Sequence, residues 1–79
     1  MKKAEIFELL QDLRPEFDFH ESEDFIADGM LDSFDVVSLV SELEEKLSIK
    51  IDGLDIIPDN FVSADSISLL IKKSGGEIE

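Results

Sequence analysis

Three sets of residues have the types and spacing to do chemistry. The first is Ser33, which follows Asp32 in the stretch Gly29-Met30-Leu31-Asp32-Ser33-Phe34 and stands ahead of a helical pattern. A serine hydroxyl at a helix start faces free backbone amides and the positive end of the helix dipole, so a phosphodiester attached there would be stabilised. Taken alone, Asp-Ser at that place is also an ordinary helix cap. The second set joins Ser33 with His20 and any of several aspartates as a nucleophilic triad. Against it, the one histidine lies in a loop beside Phe19 and nothing resembles a strand-turn-helix elbow. So small a chain also has little room for a water-excluding pocket, so a non-catalytic protein is expected. The third set is Asp24, Asp28 and Gly29, at the first, fifth and sixth positions of a twelve-residue calcium loop. The match fails at Ile26 in its third position and Asp35 in its twelfth, so no dedicated metal site is expected.

The elements that must position Ser33 can be read from apolar spacing. Ile6, Leu9, Leu10 and Leu13 recur at i, i+3, i+4 and i+7 and predict an amphipathic helix over about 3–14, stopped by Pro15. Residues 15–32 form a long loop with seven acids, no Lys or Arg, and Phe17, Phe19, Phe25 and Ile26 as anchors. A second helix is expected over about 33–47, capped by Asp32 or Ser33, with Val36, Val37, Val40, Leu43 and Leu47 on its buried face. Ile49, Ile51 and Leu54 alternate weakly across Gly53 and are read as loop. Pro58-Asp59-Asn60-Phe61 predicts a short helix over about 58–62. Ser63 then caps a last helix over about 64–74, with Ile67, Leu70 and Ile71 inward, Lys72 and Lys73 at its negative end, and Gly75-Gly76 as its stop. The expected fold is all-α: one domain over 1–79, an irregular four-helix bundle of three main helices and one short one.

Composition narrows the partners. The chain has 79 residues, 20 acidic against 7 basic, and a formal net charge of -13. Such a charge repels phosphate backbones, so nucleic acid is not an expected partner, and basic protein patches, small cationic groups or divalent metal ions are. No cysteine is present, which leaves neither a disulfide framework nor a thiolate metal site. Apolar runs reach three residues, as in Leu69-Leu70-Ile71, far short of a membrane span. Met1-Lys2-Lys3 leads directly into Glu5 and Glu8, unlike a targeting segment, so a cytoplasmic protein is expected; it is also expected to be a monomer.

Taken in order, the amphipathic first helix, the acidic loop, Asp32-Ser33 before a Val/Leu-striped helix bearing Glu42, Glu44 and Glu45, and Pro58-Asp59-Asn60-Phe61 before a last helix cover nearly the whole chain. In this combination the sequence resembles the acyl and peptidyl carrier protein family, whose hallmark is a Gly-x-x-Asp-Ser-Leu type motif opening the second helix. The resemblance implies that Ser33 carries 4'-phosphopantetheine, transferred from coenzyme A by a phosphopantetheinyl transferase that recognises Asp32. It implies that acyl or aminoacyl groups ride on the thiol of that arm, for partner enzymes of fatty-acid, polyketide or related biosynthesis. Met30, Phe34, Asp35, Val37, Glu42, Glu44 and Glu45 would form the partner-binding face.

Phe34 stands where leucine is most usual, a variant similar to that of D-alanyl carrier proteins, and Ser38 and Ser41 replace an acid and a larger apolar residue of fatty-acid carriers. A D-alanyl or other aminoacyl or peptidyl carrier is therefore the alternative. A second alternative, from another class, is a non-carrier acidic interaction module in which Ser33 only helps to cap a helix. Leu39, Val40, Leu43 and Ile67 are candidates to line a cargo cavity, although ordinary core packing accounts for each of them. For Glu44 and Glu45, a solvated face is as good an account as docking.

Overall fold

A computed structural model describes residues 1–79. The chain is all-helical, with three α-helices, three 3-10 turns and no strand. Helix α1 spans Lys3–Leu13, α2 spans Ser33–Leu47 and α3 spans Ala64–Lys73. The 3-10 turns are Phe19–Glu21, Gly53–Asp55 and Pro58–Phe61. Helix α1 packs against both α2 and α3, and the 58–61 turn bridges α2 and α3. The expected fourth helix is thus a four-residue 3-10 turn, because Ser63 starts a new cap before a second turn can form.

In α1, Ile6 and Leu10 are fully buried, while Leu9 and Leu13 lie at the edge of the same stripe. The helix stops one residue before the expected limit. Arg14 precedes Pro15 and adopts φ -135°, ψ 78°, outside the helical region, although its amide still donates to the Leu10 carbonyl at 2.9 Å.

The acidic loop is anchored as its aromatics suggest. Phe19 and Phe25 are buried and meet edge to face, with ring centroids 5.1 Å apart. Asp18 accepts from the His20 amide to start the first 3-10 turn. Asp24 Oδ1 accepts from the Ile26 and Ala27 amides, and Gly29 takes φ 73° to turn the chain back. The Met30 and Leu31 amides then both donate to the Phe25 carbonyl, delivering a buried Leu31 to the start of α2.

Helix α2 keeps its expected limits, but its buried stripe is Val36, Leu39, Val40 and Leu43. Val37, expected inside, is 59% exposed. At about 100° per residue, it sits a full step round from Val36 and falls off the stripe, whereas Leu39 falls on it. The helix ends at Ser48 in the left-handed region, φ 53°. Past it, Ile51 is buried in the core and Asp52 caps the Gly53–Asp55 turn through the Leu54 amide. Asn60 Nδ2 donates to the Asp55 carbonyl at 2.7 Å and ties that turn to the next.

Ser63 caps α3 as expected, its hydroxyl accepting from the Ser66 amide at 3.1 Å. Ile67, Leu70 and Ile71 are buried. The helix ends at Lys73 rather than Ser74, and Lys73 Nζ pairs with Asp55 Oδ1 at 2.8 Å. Fifteen apolar residues, drawn from all three helices, the acidic loop, the 58–61 turn and Ile51, form one core cluster.

Candidate functional site

The site is built around the first residues of α2. Asp32, not Ser33, is the cap: its Oδ1 accepts from the Asp35 amide at 2.9 Å, and Asp35 Oδ2 accepts from the Asp32 amide at 3.0 Å. This reciprocal pair is a capping box, with Asp in place of the usual Glu or Gln at its far corner. Ser33 is consequently the first helical residue, exposed, with no hydrogen-bond partner for its hydroxyl within the chain.

A cation closes the box from behind. Arg14, at the end of α1, donates from Nε to Asp35 Oδ2 at 2.9 Å and places Nη2 2.8 Å from the same oxygen. Nη2 also lies 3.3 Å from Asp32 Oδ2, and Nη1 lies 3.4 Å from Glu16 Oε2. Burial pushes the Asp35 carboxyl upward. The Arg14 hydrogen bond, the Asp32 amide and the guanidinium charge together outweigh burial and hold the carboxyl below its ordinary value. The same contacts, the Asp35 hydrogen bond first, raise the Arg14 pKa.

Ser33 also borders an apolar depression of about 230 Å³, lined by Ile26, Leu31, Val36, Val37, Ile56 and Pro58 together with Asp32. Its walls come from the acidic loop, α2 and the segment after Ile51. Leu39, Val40, Leu43 and Ile67, the candidates for a cargo lining, border none of this depression and are packed in the core.

Of the residues expected on a partner face, some are exposed on α2 and others are engaged within the chain. Phe34 is 81% exposed and Val37 projects beside it on α2. Met30 is half-buried against the core. Asp35 is only 8% exposed, so its charge is engaged with Arg14 rather than offered to solvent. Glu44 is also occupied: its Oε2 accepts from the Ile51 amide at 2.9 Å and pins the chain leaving α2. Glu42 borders a depression with Leu9, Asp12 and Leu13 of α1, about 140° round the helix from Val37. Glu45 is exposed. Leu54 and Ile57, exposed in the segment that forms the far wall of the depression, were not anticipated.

The triad residues are not assembled. His20 stacks on Phe7 of α1, centroids 3.8 Å apart, and neither depression that it lines includes a residue of the Ser33 depression. The calcium-loop acids are engaged within their own loop, Asp24 with backbone amides and Asp28 with the Ser22 hydroxyl. No group of three or more His, Asp or Glu side chains is arranged to hold a metal ion, and no helix is long and apolar enough to cross a membrane.

Arg14 is the functional candidate that sequence reasoning missed. A signal was present: it is the only Lys or Arg between Lys3 and Lys46, directly before the acidic loop. No family model, curated protein or solved structure matches the chain.

Proposed function

We propose that this protein is a carrier of acyl or aminoacyl groups, held as thioesters on a 4'-phosphopantetheine arm at Ser33, and that its helices form the irregular four-helix bundle of such carriers. The observation that carries this reading is the state of Ser33. Asp32 takes over the cap, so the serine hydroxyl is exposed and unpaired at the dipole-positive end of a fifteen-residue helix. A hydroxyl serving only as a cap would instead be engaged with the first-turn amides. The apolar depression beside it offers the arm or a short cargo a surface to lie on.

In the loading step the Ser33 Oγ attacks the coenzyme A phosphorus that bears pantetheine. An Oγ–P bond forms as the bond from that phosphorus to the bridging pyrophosphate oxygen breaks. The leaving 3',5'-ADP takes the electron pair, and the serine proton passes to a base on the transferase. Cations for the coenzyme A phosphates must come largely from the transferase, because Asp32, Glu16 and Asp35 flank the site and Arg14 already serves them. The carrier performs no chemistry of its own, and it would work in the cytoplasm as a monomer with activating and transferring enzymes that present basic docking patches.

The test is intact mass after incubation with coenzyme A and a broad-specificity transferase. Gain of one phosphopantetheine on the native protein and none on Ser33→Ala is the expected result. An unshifted native mass would instead support an acidic interaction module. Thioester profiling of protein from its own cells would then separate acyl from aminoacyl cargo.

A further inference from the structure

We propose that Arg14 is a positioning residue for the modification of Ser33, holding the Asp32–Asp35 box so that the serine hydroxyl is presented in one orientation. The inference rests on the carrier reading and deepens it. The geometry is specific. One guanidinium contacts Asp35 through two nitrogens and reaches Asp32 through one of them, so it touches both carboxylates of the box that brackets Ser33. Arg14 can do so because Pro15 forces it out of the helix, at the point where α1 ends beside the start of α2.

Asp35 is nearly buried, and apart from Arg14 its Oδ2 has only the Asp32 amide as a donor. Without the guanidinium, a buried carboxylate would be left short of partners and would turn toward water. That movement would release the Asp32 amide and loosen the backbone that leads into Ser33. Phosphoryl transfer requires the attacking oxygen in line with the departing one, so a loosened serine loses reaction rate more than binding. Loss of the cation also makes the site more negative, which speeds encounter with a basic transferase. Positioning and charge therefore act on different kinetic constants.

The experiment is steady-state loading of native protein, Arg14→Gln, Arg14→Lys, Asp35→Asn and the Arg14→Gln/Asp35→Asn double variant, each below its own melting temperature. Arg14→Gln should lower kcat by about fivefold to fiftyfold with the KM for the carrier not raised. Arg14→Lys, which keeps the charge but offers a single nitrogen, should recover only part of the loss. The double variant should be no slower than Arg14→Gln, because both changes open the same box. Native kcat in Arg14→Gln, a loss confined to KM, or multiplicative effects in the double variant would overturn the inference. If Arg14→Gln fails to fold, Asp35→Asn decides: its kcat must fall, and a native value overturns the proposal. A native protein that gains no mass overturns the carrier reading itself, whereas normal loading of both native and Arg14→Gln protein overturns only the role of Arg14.

Discussion

Replacing Asp32 by alanine should cost stability that replacing Ser33 does not, although the two residues are adjacent. Asp32→Ala removes the cap bond to the Asp35 amide, a loss of about 1 kcal/mol with a range of about 0.5–2. It also removes the 3.3 Å contact with Arg14, and because the Asp32 side chain is 56% exposed that pair adds only about 0–1 kcal/mol. The Asp32 amide still donates to Asp35, so half of the box survives. The total is about 1–2 kcal/mol, which for a 79-residue chain is a fall in melting temperature of about 5–15 °C. Ser33→Ala deletes an exposed hydroxyl with no partner at a position where alanine is a good helix former, and should change stability by less than about 0.5 kcal/mol. Loading should vanish in Ser33→Ala. The chain has no Trp or Tyr, so far-UV circular dichroism is the suitable probe for the melts, with intact mass for loading. A Ser33→Ala protein that melts as low as Asp32→Ala would refute the assignment of the cap, and with it the account of why the serine is free.

Three further outcomes are expected. Because the Asp35 carboxyl is held below its ordinary value, its contribution is complete above the unfolded value of about pH 4 and is lost as pH falls through the lower folded one. Melts from pH 7 downward should therefore show Asp35→Asn weaker than native protein near neutrality and converging with it in acid; parallel curves would contradict the ion pair. Glu44→Ala should cost about 1 kcal/mol through loss of the Ile51 amide bond, and Glu45→Ala less than about 0.5, with equal effects counting against a structural role for Glu44. Added salt or millimolar magnesium should raise the melting temperature, since a net charge of -13 is screened while only Lys3, Arg14 and Lys73 form ion pairs that salt would weaken. A flat or falling curve would mean that repulsion among the acids is minor.

The sequence alone determined the helices, because their causes are local. Apolar residues at helical spacing, Pro15 after Arg14, Ser63 before Ala64 and the acids ahead of Phe34 act within a few residues, and the α2 limits match to the residue. It also marked Ser33, since a hydroxyl at a helix start is visible from neighbours alone. Where two local signals conflicted, sequence failed: Pro58 opens a helix, yet Ser63 restarts the chain so soon that only a 3-10 turn forms. Tertiary structure decided which acids are free. Asp35, Glu42, Glu44 and Glu45 look equivalent along one helix, but only packing brings Arg14 against Asp35 across 21 residues and the Ile51 amide against Glu44. It likewise assembled the depression beside Ser33 from Ile26, Val36, Val37, Ile56 and Pro58, residues from three separate segments. Periodicity says which side of a helix is apolar; which neighbour covers it, and where the cover stops, depends on how the segments meet.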